Sequence, residues 1–134
     1  MIVVDTSALV AVFLREPGHE AMTEIIDDAQ AACLSVVSRI ELVSVLCGVR
    51  IGAEPARVGD YVDGLNLEHV PVSVEQMHGA LDALLTFGKG RHPAQLNLGD
   101  CFSYALAKAR GAPLLFKGDD FARTDIVPAW TAPR

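Results

Sequence analysis

Short apolar runs without helical periodicity alternate with amphipathic segments along this chain, and that alternation restricts the fold more than any other feature. Residues 2–4 (IVV) form a β-branched run, as a strand buried in a parallel sheet requires. Asp5-Thr6-Ser7 then opens an apolar helix through about Leu14, stopped by Pro17-Gly18. A second helix is expected from about His19 to Asp28, with Met22, Ile25 and Ile26 on its buried face. Strand two over 32–36 and a helix over 37–49 follow. Next come a weaker helix over 56–65, strand three over 67–72 and a helix over 74–87. The loop GKGRHPAQ (88–95) leads into a helix from Leu98 to Arg110, ended by Gly111. Pro113 to Phe116 reads as strand four, then come the turn KGDDF and a short Ile126-Val127 strand. Strands alternating with helices predict an α/β domain of three layers, α/β/α, around a central, mainly parallel sheet. With 134 residues and no repeat or linker, one domain is expected.

Composition narrows the function classes. No run approaches the roughly 18 apolar residues of a membrane span. MIVV is too short for a signal-peptide core and runs straight into Asp5. A cytoplasmic protein is therefore expected. Cys33, Cys47 and Cys101 form no CxxC pair and have no histidine at ligand spacing, so they read as buried free thiols rather than a zinc site. Hydrophobic residues reach 51% and mean hydropathy is +0.31, which fits a buried sheet together with a surface covered by a partner subunit. The net charge of −6 opposes nonspecific binding to a nucleic-acid backbone. The bases are not spread evenly, however: Lys89, Arg91 and His92 share one loop.

In parallel α/β sheets, ligands bind at the carboxyl ends of the strands, and the acids gather there. Asp5 follows strand one, Glu41 lies in the second turn of the helix after strand two, and Asp119 and Asp120 follow strand four. Asp100 stands near the start of a helix whose first turn can reach the same edge. Each acid has an ordinary explanation when taken singly. Asp5 suits a helix cap, Asp100 a first helical turn, and Asp119-Asp120 a turn. Glu41 is harder to explain away, because its helical neighbours Val37, Ser38, Ser44 and Val45 include no base. Two carboxylates about 4 Å apart repel by about 4 kcal/mol at an effective dielectric near 20. Four converging acids thus require divalent cations or raised pKa values. Oxygen-only ligands select Mg²⁺ or Mn²⁺ over zinc, and such a site can cleave phosphodiesters.

The segments VVDTSALVAVFLREP, SVVSRIELVSVL and LNLGDCFSYALAKARGAPLLFKGDDFARTDI, in this order, resemble the PIN-domain family, and more narrowly its VapC-type ribonuclease toxins of toxin–antitoxin modules. The resemblance spans essentially the whole chain. It implies Asp5, Glu41 and Asp100 as the first three acids, with Asp5 and Asp100 on the metal. The fourth is an Asp after the last long strand, and G-D-D-F leaves Asp119 and Asp120 both in play. Ser7 resembles the hydroxyl residue that supports the metal shell, and Asn97 the residue that positions the loop before Asp100. The family further implies an RNA substrate, structured RNA such as tRNA among the candidates. It also implies a homodimer, and an antitoxin that obstructs the acidic pocket and builds a larger hetero-oligomer. The basic loop at Lys89, Arg91 and His92 is the expected path of the RNA backbone, or else a solubility feature. Trp130 and Tyr61 read as structural residues. A receiver-type phosphoacceptor domain and a D-x-D phosphatase both fit poorly, because Asp5 is followed by Thr6-Ser7. A PIN-like module that binds without catalysis is the stronger alternative.

Overall fold

The computed structural model describes residues 1–134. Its parallel sheet is built from β1 (Ile2–Val4), β2 (Ala32–Ser35), β3 (Glu68–Val70) and β4 (Leu114–Leu115), in the order β3-β2-β1-β4. Six helices surround it: α1 (Thr6–Phe13), α2 (His19–Asp28), α3 (Val36–Leu46), α4 (Pro55–Gly64), α5 (Val74–Phe87) and α6 (Leu98–Arg110). The expected α/β/α architecture is what the structure has.

Pleating divides each strand between two cores. Ile2, Val4, Leu34 and Leu115 point into one core with Leu9, Met22, Leu42, Leu46, Val58 and Val62. Val3, Cys33 and Leu114 point into the other with Leu96, Cys101, Leu106, Phe116 and Phe121. Because both faces are covered, strand residues are apolar at successive rather than alternate positions. The second core relies on small side chains: a Cβ on Gly79 would lie 3.2 Å from Ala105 Cβ, which lets α5 and α6 approach closely. Gly111 ends α6 in the left-handed conformation at φ +58°, a terminus that glycine adopts without steric penalty.

The last expected strand is reduced to a single bridge between Leu114 and Pro128. The Leu114 N–H donates to Val127 O, and Ala129 N–H donates back to Leu114 O. Pro128 lacks the donor that a longer ladder would need. The edge strand β3 and the helix α3 are also shorter than expected, at Glu68–Val70 and Val36–Leu46.

Cys33 and Cys101 are buried, Cys47 is half-buried, and all three are free. No helix is long and apolar enough to cross a membrane. The Tyr61 hydroxyl donates to Leu9 O at 2.8 Å, and the Trp130 ring packs against Gly18, so both serve the structure.

From β1 the chain builds outward in two directions, to β2 and β3 on one side and to β4 on the other. The junction between β1 and β4 is a topological switch point, where an α/β sheet opens a crevice at its carboxyl edge.

Candidate active site

That crevice is a cleft of about 450 Å³ lined by Asp5, Glu41, Asp100 and Asp120, together with Thr6, Ser7, Glu16, Asn97 and Lys117. Four of the five acids expected from the sequence therefore meet. Asp119 is exposed on the same turn but does not line the cleft.

Asp5 is buried at 2% exposure and fully engaged. Its Oδ2 accepts from Ser7 N–H at 2.9 Å and from Ser7 Oγ at 2.7 Å. This is the capping role that an Asp before a helix commonly fills. Capping leaves Oδ1 over, and Oδ1 accepts from Ser103 Oγ at 2.6 Å. Ser103 in turn contacts Ser38 Oγ at 3.2 Å, and the Thr6 hydroxyl donates to Ser38 O at 3.2 Å. The Lys117 N–H donates to Ser7 Oγ at 3.0 Å, joining the end of β4 to the end of β1 through one hydroxyl. A carboxylate held by three donors cannot turn away from the cleft.

Asp100 belongs to a capping box. Its N–H donates to Asn97 Oδ1 at 2.9 Å, and Asn97 N–H donates to Asp100 Oδ2 at 3.0 Å. The ordinary explanation of this acid thus holds, and Asn97 caps the same helix. It does not account for the electrostatics. Burial, then the charge of Asp5, push the Asp100 carboxyl up to about 7; the backbone bond at Asn97 opposes this, while Glu41 and Asp120 add to it. Glu41 is raised as well, chiefly by burial, with the nearby Thr6 hydroxyl opposing and Asp5 reinforcing. The helix bearing Glu41 also carries Arg39, which points elsewhere and pairs with Asp63 at 3.0 Å. Lys117 is the one base on the cleft wall, and its ammonium is held by Pro17 O at 3.1 Å and Glu16 at 3.7 Å.

The donor set suits a hard divalent cation: every polar group offered by the four acids is a carboxylate oxygen, and no thiol or imidazole lines the cleft. As the side chains stand, no three acids lie close enough to grip one ion together. Asp5 and Asp100 are anchored by their caps, so closure around an ion falls to Asp120, which is exposed on its turn. The residues present fit a cation on these terms.

Lys89, Arg91 and His92 stand apart from the acids, on a separate shallow concavity with Gly90, Pro93 and Gln95. His92 Nδ1 accepts from Ala94 N–H at 3.0 Å, and the ring packs edge-on against Phe87. Sequence reasoning met Ser38 and Ser103 only as helical neighbours of acids without giving them a role, and it did not bring Glu16 or Lys117 to the acids. Helical spacing held the signal for two of them: Ser103 follows Asp100 by three positions and Ser38 precedes Glu41 by three, so each shares its acid's face.

Comparison with known proteins places this geometry. The PIN domain family model matches residues 2–127, and the chain belongs to that family. It is 43% identical over 125 residues to the ribonuclease VapC30 of Mycobacterium tuberculosis, covering 92% of this chain and 95% of the relative. Among solved structures, it is similar to M. tuberculosis VapC20, described as a toxin that cleaves the sarcin–ricin loop, with a TM-score of 0.74, 14% identity, and coverage of 95% and 97%. It is also similar to VapBC2 of Rickettsia felis bound to a promoter DNA fragment, with a TM-score of 0.70, 15% identity, and 96% of each chain covered. At these identities the structural likenesses speak to the fold alone.

Proposed function

We propose that this chain is a VapC-type toxin, an endoribonuclease that hydrolyses RNA phosphodiester bonds with Mg²⁺ or Mn²⁺ at a four-carboxylate site. The observation that carries the reading is the convergence of Asp5, Glu41, Asp100 and Asp120 on one cleft whose single base is already engaged. The 43% identity to a ribonuclease over nearly the full chain supports the same class of reaction.

Asp5, Asp100 and Asp120 would hold the cation, which when bound supplies Lewis-acid activation of water and neutralises charge on the phosphate. Asp5 acts as the fixed point, because three hydrogen bonds prevent its reorientation. Glu41 orients the attacking water from the opposite helix. Asp120, exposed on its turn, closes over the reacting phosphate. The substrate is a structured RNA, tRNA among the candidates, whose backbone continues toward Lys89, Arg91 and His92.

The partner is an antitoxin in the same complex. A guanidinium entering the cleft would meet the charge demand that a cation otherwise meets. Exposed Ile40, Val45 and Val49 on and beyond α3, and Val74, Met77, Leu81 and Leu85 along α5, offer apolar surface for that partner and for a second copy of this chain. The protein acts in the cytoplasm. The test is cleavage of structured RNAs, total tRNA included, by wild type and Asp5→Asn with Mg²⁺, Mn²⁺ or EDTA. Site-restricted cuts that need the cation and vanish in the variant support the reading. A wild type that cuts no RNA after removal of any antitoxin overturns it in favour of a binding module.

A further inference from the structure

Among the glycines of this chain, Gly99 is the one whose missing side chain borders an acid of the cleft. A Cβ built there would collide with Glu41 Oε2, and would lie 2.7 Å from Glu41 Cδ and 2.8 Å from Oε1. Elsewhere the same construction meets Trp130, an alanine, the Arg39 guanidinium, a helix carbonyl or open space. The Glu41 carboxyl therefore rests on the bare Cα of the second residue of α6. Asp100, the next residue, presents the neighbouring carboxylate. Backbone conformation gives no reason for glycine here, since only Gly18, Gly52, Gly90, Gly111 and Gly118 take a positive φ. Helix propensity argues against it, as glycine within a helix is less favourable than alanine. What glycine provides at 99 is room.

We infer that Gly99 is a positioning residue that seats the Glu41 carboxyl against the first turn of α6, and so sets its distance from the other three acids. The inference rests on the ribonuclease reading only for the kinetic consequence; the placement itself is separately measurable. The group that must yield to a Cβ is the free end of a flexible side chain rather than backbone. Replacement by alanine is thus expected to leave the fold intact and to displace one carboxylate. The first turn of α6 also favours an anion through its exposed amide N–H groups, so a displaced Glu41 loses that support as well.

The experiment compares wild type, Gly99→Ala, Glu41→Asp and the double variant, with Gly64→Ala as control. Gly64 ends α4, and a Cβ there meets nothing. The melting temperature of Gly99→Ala should equal or exceed that of wild type. On a cleavable RNA its kcat should fall by roughly tenfold to a hundredfold, with KM nearly unchanged. In the Glu41→Asp background, where the side chain is one methylene shorter, the same change should cost little more. The ¹³C resonance of the Glu41 carboxyl should move in Gly99→Ala and stay put in Gly64→Ala. Equal kcat in wild type and Gly99→Ala, or the same loss in both Glu41 backgrounds, overturns the positioning role. A Glu41 resonance that does not move overturns the placement. A wild type without RNA cleavage, alongside a shifted resonance, sinks the ribonuclease reading while leaving the placement standing.

Discussion

Away from the cleft, three of the molecule's acids are paired with a lysine or an arginine. Arg110 meets Glu68 at 3.1 Å, Lys108 meets Asp125 at 2.9 Å, and Arg39 meets Asp63 at 3.0 Å. In the cleft, Asp5, Glu41, Asp100 and Asp120 stand with one base, Lys117, which is already held by a fifth acid, Glu16, and by Pro17 O. The titration directions follow. Asp125 is lowered, first by the Tyr104 hydroxyl and then by Lys108, whereas Asp100 is pushed up to about 7 by burial and by Asp5. Surface pairs of the first kind have modest value, about 0.2–1 kcal/mol each, and salt screens them. The second arrangement opposes folding unless protons or cations enter it. Four acids gathered in one cleft with no free base beside them are holding a site, and stability does not account for them.

The largest expected contrast lies within a single dipeptide. Asp120→Asn should lower RNA cleavage on the order of 100-fold or more, and Asp119→Asn should leave it within about twofold. Rate measurements on both variants check this, and equal losses would erase the distinction drawn from the cleft wall.

A smaller effect concerns stability against pH. An unfolded Asp titrates near 3.9, while Asp100 in the fold titrates at about 7. Between those values the folded chain binds more protons than the unfolded one, so its stability should fall as pH rises from about 4 to about 7. Asp125 works in the opposite sense, since its lowered value adds stability that is lost as pH falls. Calorimetric melts in EDTA should show the decline with rising pH in wild type and a shallower one in Asp100→Asn. Added Mn²⁺ should restore stability near neutral pH in wild type alone. A flat profile in wild type would mean that the cleft acids repel less than their burial implies.

The smallest effect belongs to the paired acids. Asp63→Asn should cost at most about 1 kcal/mol, diminish further in high salt, and leave cleavage unchanged. Denaturant melts at two salt concentrations, with rates measured in parallel, test it. A loss of activity there would break the division between the two sets of acids.

Much of this was legible before any coordinates. Strand and helix periods yielded the layers, and the rule for carboxyl edges gathered Asp5, Glu41 and the Asp119-Asp120 pair, with Asp100 within reach of the same edge. The absence of a base at helical spacing singled out Glu41, which lines the cleft. What escaped notice depends on approach between distant segments. The bond from Ser103 to Asp5 joins residues 98 positions apart, and no local pattern announces it. The room at Gly99 becomes visible only when α3 and α6 are set side by side. The choice between Asp119 and Asp120 depends on the turn that leads into the short 3-10 segment Phe121–Arg123. The final strand was overestimated because Ile126-Val127 has the right composition, while Pro128 limits its pairing to one bridge.

The hydroxyl of Ser7 ties the carboxylate of Asp5 to the amide of Lys117, residues drawn from opposite ends of the gene's reading direction. During synthesis, Asp5 and Glu41 leave the ribosome long before Asp100, Lys117 and Asp120 exist. The central strand β1 must wait for β4 to supply its second neighbour. Closing so long a loop is among the slower events of folding. Any fragment that stops before α6 thus carries Asp5 and Glu41 without Asp100 or Asp120, and the cleft closes only once α6 and β4 have joined the sheet.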